Sequence, residues 1–126
     1  MIEAHFINDA LYTKRSIGAE RFHVSKPLVF WSAILEREIV VHIGFETDFA
    51  SIPFFMQSLI QVNGRHIHAA VIHDFLCVYR TALGITQKQV DSVFLEAMTC
   101  LGVRKTQRTA MYLGVRAYQS IAGLFK

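Results

Sequence analysis

Cysteine is scarce in this chain: Cys77 and Cys100 are the two in 126 residues. Two cysteines do not make a disulfide framework. On an antiparallel helix pair Cys77 faces roughly residue 87, and Cys100 stands about 20 Å further on at ~1.5 Å per residue. That exceeds the reach of a disulfide, so both read as core thiols of a reducing compartment. Long apolar runs are also missing, and no uncharged stretch is long enough to span a bilayer. The start, Met1-Ile2-Glu3-Ala4-His5, lacks the basic-then-apolar layout of a signal peptide. Repeats, low-complexity tracts and linkers are absent. Acid is missing from one end. Residues 104–126 hold Arg104, Lys105, Arg108, Arg116 and Lys126 and no Asp or Glu, whereas residues 1–103 sum to −2. A basic terminal segment of this kind suits a solvated helix face, or contact with phosphates or an anionic partner surface.

What is present is apolar side chain, 52% of the residues, enough for one compact globular domain over 1–126 and too much for a disordered chain. The first half reads as strands and turns. Leu28-Val29-Phe30-Trp31 and Glu38-Ile39-Val40-Val41-His42-Ile43 are β-branched and aromatic runs around a short connection, the pattern of an antiparallel hairpin. Gly44 to Ser51 follows as a loop. Ser51 and Pro53 suit the start of a short helix through about Ile60, and Asn63-Gly64 marks a turn.

The second half reads as helices. The first covers residues ~65–80. Thr86 with Gln89 has capping-box spacing and starts a second helix at ~87, which runs to Leu101 and stops at Gly102. A third begins near Thr106, with Met111, Gly114, Val115, Tyr118, Ile121 or Ala122, and Phe125 on one face. The expected fold is α+β, a small antiparallel sheet from the N-terminal half packed on three helices from the C-terminal half.

The chemistry concentrates in the first of these helices. His73-Asp74 stands inside Ala69-Ala70-Val71-Ile72-His73-Asp74-Phe75-Leu76, a run otherwise apolar. Burying such groups costs several kcal/mol unless partners satisfy them. At helical spacing His66, Ala70, His73 and Cys77 share one face with Asp74 beside it. On the next helix Asp91, Phe94, Leu95 and Met98 recur at i, i+3, i+4 and i+7, a core-facing stripe that contains a carboxylate. Counting outward from a loop at residues 81–85, His73 and Asp91 reach the same height on an antiparallel hairpin. Asp91 then holds one imidazole nitrogen and leaves the other as a base. Asp48, from the Gly44 loop, is a second carboxylate that can close on Asp74, and the two with backbone carbonyls suit a hard cation such as calcium or magnesium. Zinc is disfavoured, because His68 projects away from His66 and His73. The plainer reading is a fully bonded, chemically idle Asp-His-Asp network that ties a buried helix pair to a loop. Ser51 reads as an N-cap, with no base at local spacing to activate it.

Three ordered segments resemble a bacteriophage and prophage family of unknown function. They are Gly44-Phe45-Glu46-Thr47-Asp48-Phe49-Ala50-Ser51-Ile52-Pro53, Ala69-Ala70-Val71-Ile72-His73-Asp74-Phe75-Leu76-Cys77 and Val90-Asp91-Ser92-Val93-Phe94-Leu95-Glu96-Ala97-Met98. The likeness spans roughly residues 28–120. Departures are Phe75 and Cys77 where the family carries Tyr, and Val90 where it carries Ala. The resemblance implies a phage-encoded virion- or tail-associated protein with a role in tail or particle assembly or in host entry. Its implied partners are other phage structural proteins or the host cell envelope, in a homo- or hetero-oligomer without specific nucleic acid. The implied location is the host cytoplasm during assembly, and the virion. A weaker likeness is to the small secreted phospholipases, which also carry His-Asp on one helix and an Asp on an antiparallel one. It implies the alternative, a phospholipase-like or cell-envelope ester hydrolase in which His73 is the general base, Asp91 its orienter and Asp74 a calcium ligand. The Cys-rich framework and Gly-rich calcium loop of those enzymes are missing here.

Overall fold

A computed structural model of the chain describes residues 2–8, 13–15, 22–47 and 65–124. The expected short helix after Pro53, the Asn63-Gly64 turn, Asp48 and Ser51 lie outside these residues.

The fold is α+β. β-branched and aromatic residues build the first sheet, in the order β1 (His5–Asn8), β4 (Leu28–Ser32), β5 (Arg37–Val41), all antiparallel. Leu28, Phe30, Ser32, Ile39 and Val41 are buried, while Glu38 and Val40 are exposed. This is the period-2 pattern of a sheet with one face on the core. The β4–β5 hairpin pairs Leu28 with Val41 and Ser32 with Arg37. Its second strand stops at Val41 rather than Ile43, because the chain turns there. Phe45 N–H bonds the His42 carbonyl, and Gly44 adopts φ +88°, a left-handed conformation in which glycine pays no side-chain penalty. That turn drops Phe45 into the core. A second sheet has the order β2 (Thr13–Arg15), β3 (Phe22–Val24), β6 (Glu46–Thr47). β6 lies where the sequence suggests only loop, since two residues are too few to show a period.

Three helices follow: α1 (Arg65–Leu83), α2 (Gln87–Cys100) and α3 (Lys105–Leu124). Their ends follow from local chemistry. At Gly84 (φ +69°) α1 stops, and Ile85 N–H bonds back to the Arg80 carbonyl. Thr86 caps α2 in a complete capping box: Gln89 N–H donates to Thr86 Oγ1 at 3.1 Å, and Thr86 N–H donates to Gln89 Oε1 at 2.8 Å. The chain leaves α2 through Gly102 (φ +76°), where Val103 N–H bonds the Met98 carbonyl.

α1 packs on α2 and on β5, and α2 packs on α3 and on β4. The core between them includes Phe30, Phe94, Leu28, Ile72, Leu76 and Met98, each contributing about 1.5–3 kcal/mol on burial. α3 buries Met111 and Val115 as its stripe predicts, but Tyr118 is 40% exposed. At ~1.5 Å per residue the 20-residue α3 outruns the 14-residue α2, and Tyr118 stands near where α2 gives out.

Candidate functional site

α1 and α2 bring His73 and Asp91 together in the middle of the core. His73 Nε2 lies 2.8 Å from Asp91 Oδ1, and both side chains are 0% exposed. Phe94 packs beside the imidazole, with ring centroids 4.8 Å apart. The pairing follows from two local causes. Each residue sits on the inward stripe of its helix, and the short 84–86 connection sets the helices antiparallel with these positions level.

Three further side chains complete the group. Gln87 Nε2 donates to Asp91 Oδ1 at 3.0 Å, and Arg116 Nη1 donates to Asp91 Oδ2 at 2.9 Å. Arg80 Nη1 donates to Gln87 Oε1 at 3.2 Å and so steadies the amide. Both carboxylate oxygens of Asp91 are therefore bonded, and the bonds reach all three helices. Arg116 is 34% exposed and forms the solvent side of the cluster. Cys77 Sγ lies 3.9 Å from both ring nitrogens of His73 and 3.5 Å from Gln87 Nε2. A sulfur equidistant from both nitrogens is in line with neither N–H, so it is a packing and electrostatic neighbour more than a hydrogen-bond partner.

Electrostatics fix the protonation of the pair. Burial pushes the His73 pKa down, but the hydrogen bond to Asp91, the contact with Cys77 and the Asp91 charge outweigh it and raise it from 6.5 to about 9. Burial pushes Asp91 up, and its bonds from His73, Gln87 and Arg116 outweigh that and lower it. At neutral pH the centre is an imidazolium on a carboxylate, braced by a guanidinium. Such a ring carries protons on both nitrogens and has no lone pair to accept another.

The other residues singled out by sequence are placed less completely. Asp74 is 7% exposed and engaged with a partner. Asp48, its expected companion in a cation site, lies outside the described residues, and so does the side chain of His66. His68 is set apart from the His73 cluster and packs edge-on against Phe6, with ring centroids 6.1 Å apart. Among the described residues no group of three or more His, Cys, Asp and Glu side chains could hold a metal ion. A groove of about 680 Å³ lies elsewhere, bordered by Glu3, Ile34, Glu96, Cys100 and Tyr112. Glu96 there accepts from Ser32 Oγ at 2.7 Å and Ile34 N–H at 3.1 Å, which ties α2 to the β4–β5 turn.

Sequence reasoning missed Gln87 and Arg116. Gln87 carries a usable signal, since it stands one turn before Asp91 on the same face. Arg116 carries a fainter one: it follows Val115 on a stripe otherwise apolar, but assigning it needs the register of α3 on α2.

No curated protein and no solved structure matches the chain. Residues 22–115, which carry the β4–β5 hairpin, the His73–Asp91 pair and most of α3, match the family model described as "Protein of unknown function (DUF1353)", and the chain belongs to that family.

Proposed function

We propose that this protein works by binding and assembly, not by catalysis, and that the His73–Asp91–Arg116 cluster is a structural clamp on its three helices. The observation that carries this reading is the state of His73. Its ring is wholly buried, its Nε2 is taken by Asp91 at 2.8 Å, and its raised pKa keeps it charged at neutral pH. A base that activates water needs a free lone pair and a path to substrate. His73 offers neither in this arrangement, although Asp91 orients it as the phospholipase-like alternative requires. The motifs at Gly44–Pro53, Ala69–Cys77 and Val90–Met98 supply the setting, a phage virion or tail in which the partners are other structural proteins or the host envelope. Cation binding at Asp74 and Asp48 belongs to the hydrolase alternative and is not needed for the clamp.

His73→Gln in the phage genome tests the proposal. Melting temperature of the purified protein and yield of assembled particles are expected to fall together. Wild-type stability and yield with lost infectivity would contradict it. So would hydrolysis of phospholipid or cell-wall esters, with or without calcium, that disappears in His73→Ala.

A further inference from the structure

The helices cover one side of the first sheet. α1 packs on β5, and α2 packs on β1 and β4, where Phe6, Phe30 and Ile39 form one cross-strand row. Alternate residues of each strand point to the other side, and the register fixes their order there. His5, Trp31 and Glu38 stand abreast on β1, β4 and β5, and Asn8, Val29 and Val40 stand abreast in the next row. The bulge between Phe6 and Asn8 adds Ile7 to that row. His5, Ile7, Glu38 and Val40 are exposed, and Val29 and Trp31 between them are half-buried. An apolar centre thus lies open between an imidazole on one edge strand and a carboxylate on the other. Trp31, the single tryptophan of the chain, stands at its middle. Its Nε1–H is buried and has no acceptor among the described residues, an unmet donor that costs about 1–3 kcal/mol.

We infer that this outer face docks a second copy of the chain, in a two-fold dimer that pairs His5 of each copy with Glu38 of the other. The order imidazole, indole, carboxylate selects the occupant. A two-fold axis between two such faces, running along β4, turns β1 of one copy over β5 of the other and keeps each row level. His5 then faces Glu38 of the second copy, and Glu38 faces its His5. The Trp31 side chains meet at the axis, with a Glu38 carboxylate on both sides of each indole, one from each copy. An axis across the strands would instead set His5 over His5 and Glu38 over Glu38, which like charge disfavours. One patch serves both copies, as a closed two-fold interface requires, and the sheets lie in the aligned arrangement of a β-sandwich.

The His5 Nδ1–H donates to the Glu3 carbonyl at 2.8 Å. Nε2 is the atom left to meet the carboxylate, and it donates only when the ring is protonated on both nitrogens. The charged groups near His5 do not oppose that proton. Glu3 stands on its own segment, Glu96 stands on α2 by the Ala4 carbonyl that Cys100 bonds, and β4 presents Trp31. Association is therefore favoured by mild acid. The face is small. Three strands of four or five residues give a patch about 15 Å on a side, short of the ~800 Å² per partner of a standard interface, so the dimer is weak and concentration-dependent. The inference rests on the assembly half of the proposed function and makes no use of the clamp.

Sedimentation velocity of the full-length protein, from micromolar to submillimolar concentration at about pH 6 and low salt, tests it, with Trp31 fluorescence as the second reading. A monomer–dimer equilibrium is expected, with Trp31 emission shifting to the blue as dimer forms and association weakening toward about pH 8. Glu38→Lys sets a cation over His5 and is expected to weaken association by about tenfold or more. His5→Glu combined with Glu38→Lys exchanges the two edges and is expected to restore most of it. Both positions are exposed, and circular dichroism checks that each variant is folded. The inference is overturned by a chain that stays monomeric throughout, or by a dimer that leaves Trp31 emission unchanged. A dimer indifferent to Glu38→Lys, or a folded double variant that stays dissociated, also overturns it. A monomer whose His73→Gln variant still loses stability overturns the docking face and leaves the clamp standing. A dimer whose His73→Gln variant melts like wild type does the reverse.

Discussion

Replacing His73 by Gln keeps a hydrogen-bond donor near Asp91 and removes the charge, so it isolates the ionic part of the clamp. The wild-type contribution follows from linkage. A group whose pKa rises from 6.5 unfolded to about 9 folded stabilises the native state by about 3 kcal/mol, at 1.36 kcal/mol per unit. The sign is set by the direction of the shift. The contribution is complete below pH 6.5 and is lost as pH rises through 9. For a chain of this size about 3 kcal/mol corresponds to a fall of about 10 °C in melting temperature. Urea denaturation followed by circular dichroism, at several pH values from 6 to 10, measures it. The wild type should lose stability across the upper part of this range, and His73→Gln should run low and nearly flat. The two curves should converge at the alkaline end. Parallel curves, or a difference below about 1 kcal/mol at pH 6, would refute the argument that the imidazolium is what Asp91 holds.

Asp91→Asn leaves His73 buried without its counter-charge, and about 3–5 kcal/mol is expected to be lost, the usual result of breaking a buried pair from one side; chemical denaturation reads this, with the deficit shrinking in acid as the wild-type carboxyl itself protonates. Arg116→Gln should cost less, about 1 kcal/mol, because solvent at its partly exposed guanidinium screens the pair, and a smaller loss in 0.5 M salt than in dilute buffer would identify the charge as the cause. Thr86→Ala removes the capping box of α2 and should lower stability by about 1 kcal/mol without changing the pH dependence, which separates helix capping from the clamp.

Much of this arrangement is legible in the sequence, and the residues show why. Thr86, Gln89 and Gly102 mark the ends of α2 through backbone chemistry that acts over a few residues. The β-branched and aromatic run Leu28–Trp31 marks β4 as a strand, but both its faces are apolar, so the buried face follows from packing and not from its residues. His73 and Asp91 meet because both the helical phase and the length of the intervening loop can be counted. Contacts that depend on a third element are not countable in this way. Arg116 reaches Asp91 across 25 positions, and its role depends on how α3 lies on α2, which side-chain packing decides. The strand Glu46–Thr47 is fixed by its pairing with Phe22 and His23 and not by its own residues. Protonation was the least legible property. A histidine among apolar residues suggests a neutral ring, and only the combined partners of Asp91 show why a charged one is favoured.

A direct NMR titration of the His73 imidazole tests the central claim. If the cluster is a sealed clamp, the ring is doubly protonated at pH 7, titrates near pH 9, and shows ring N–H protons that exchange slowly with solvent. A ring that is neutral at pH 7, titrates near 6.5 and exchanges freely would contradict the clamp and return His73 to the role of a base.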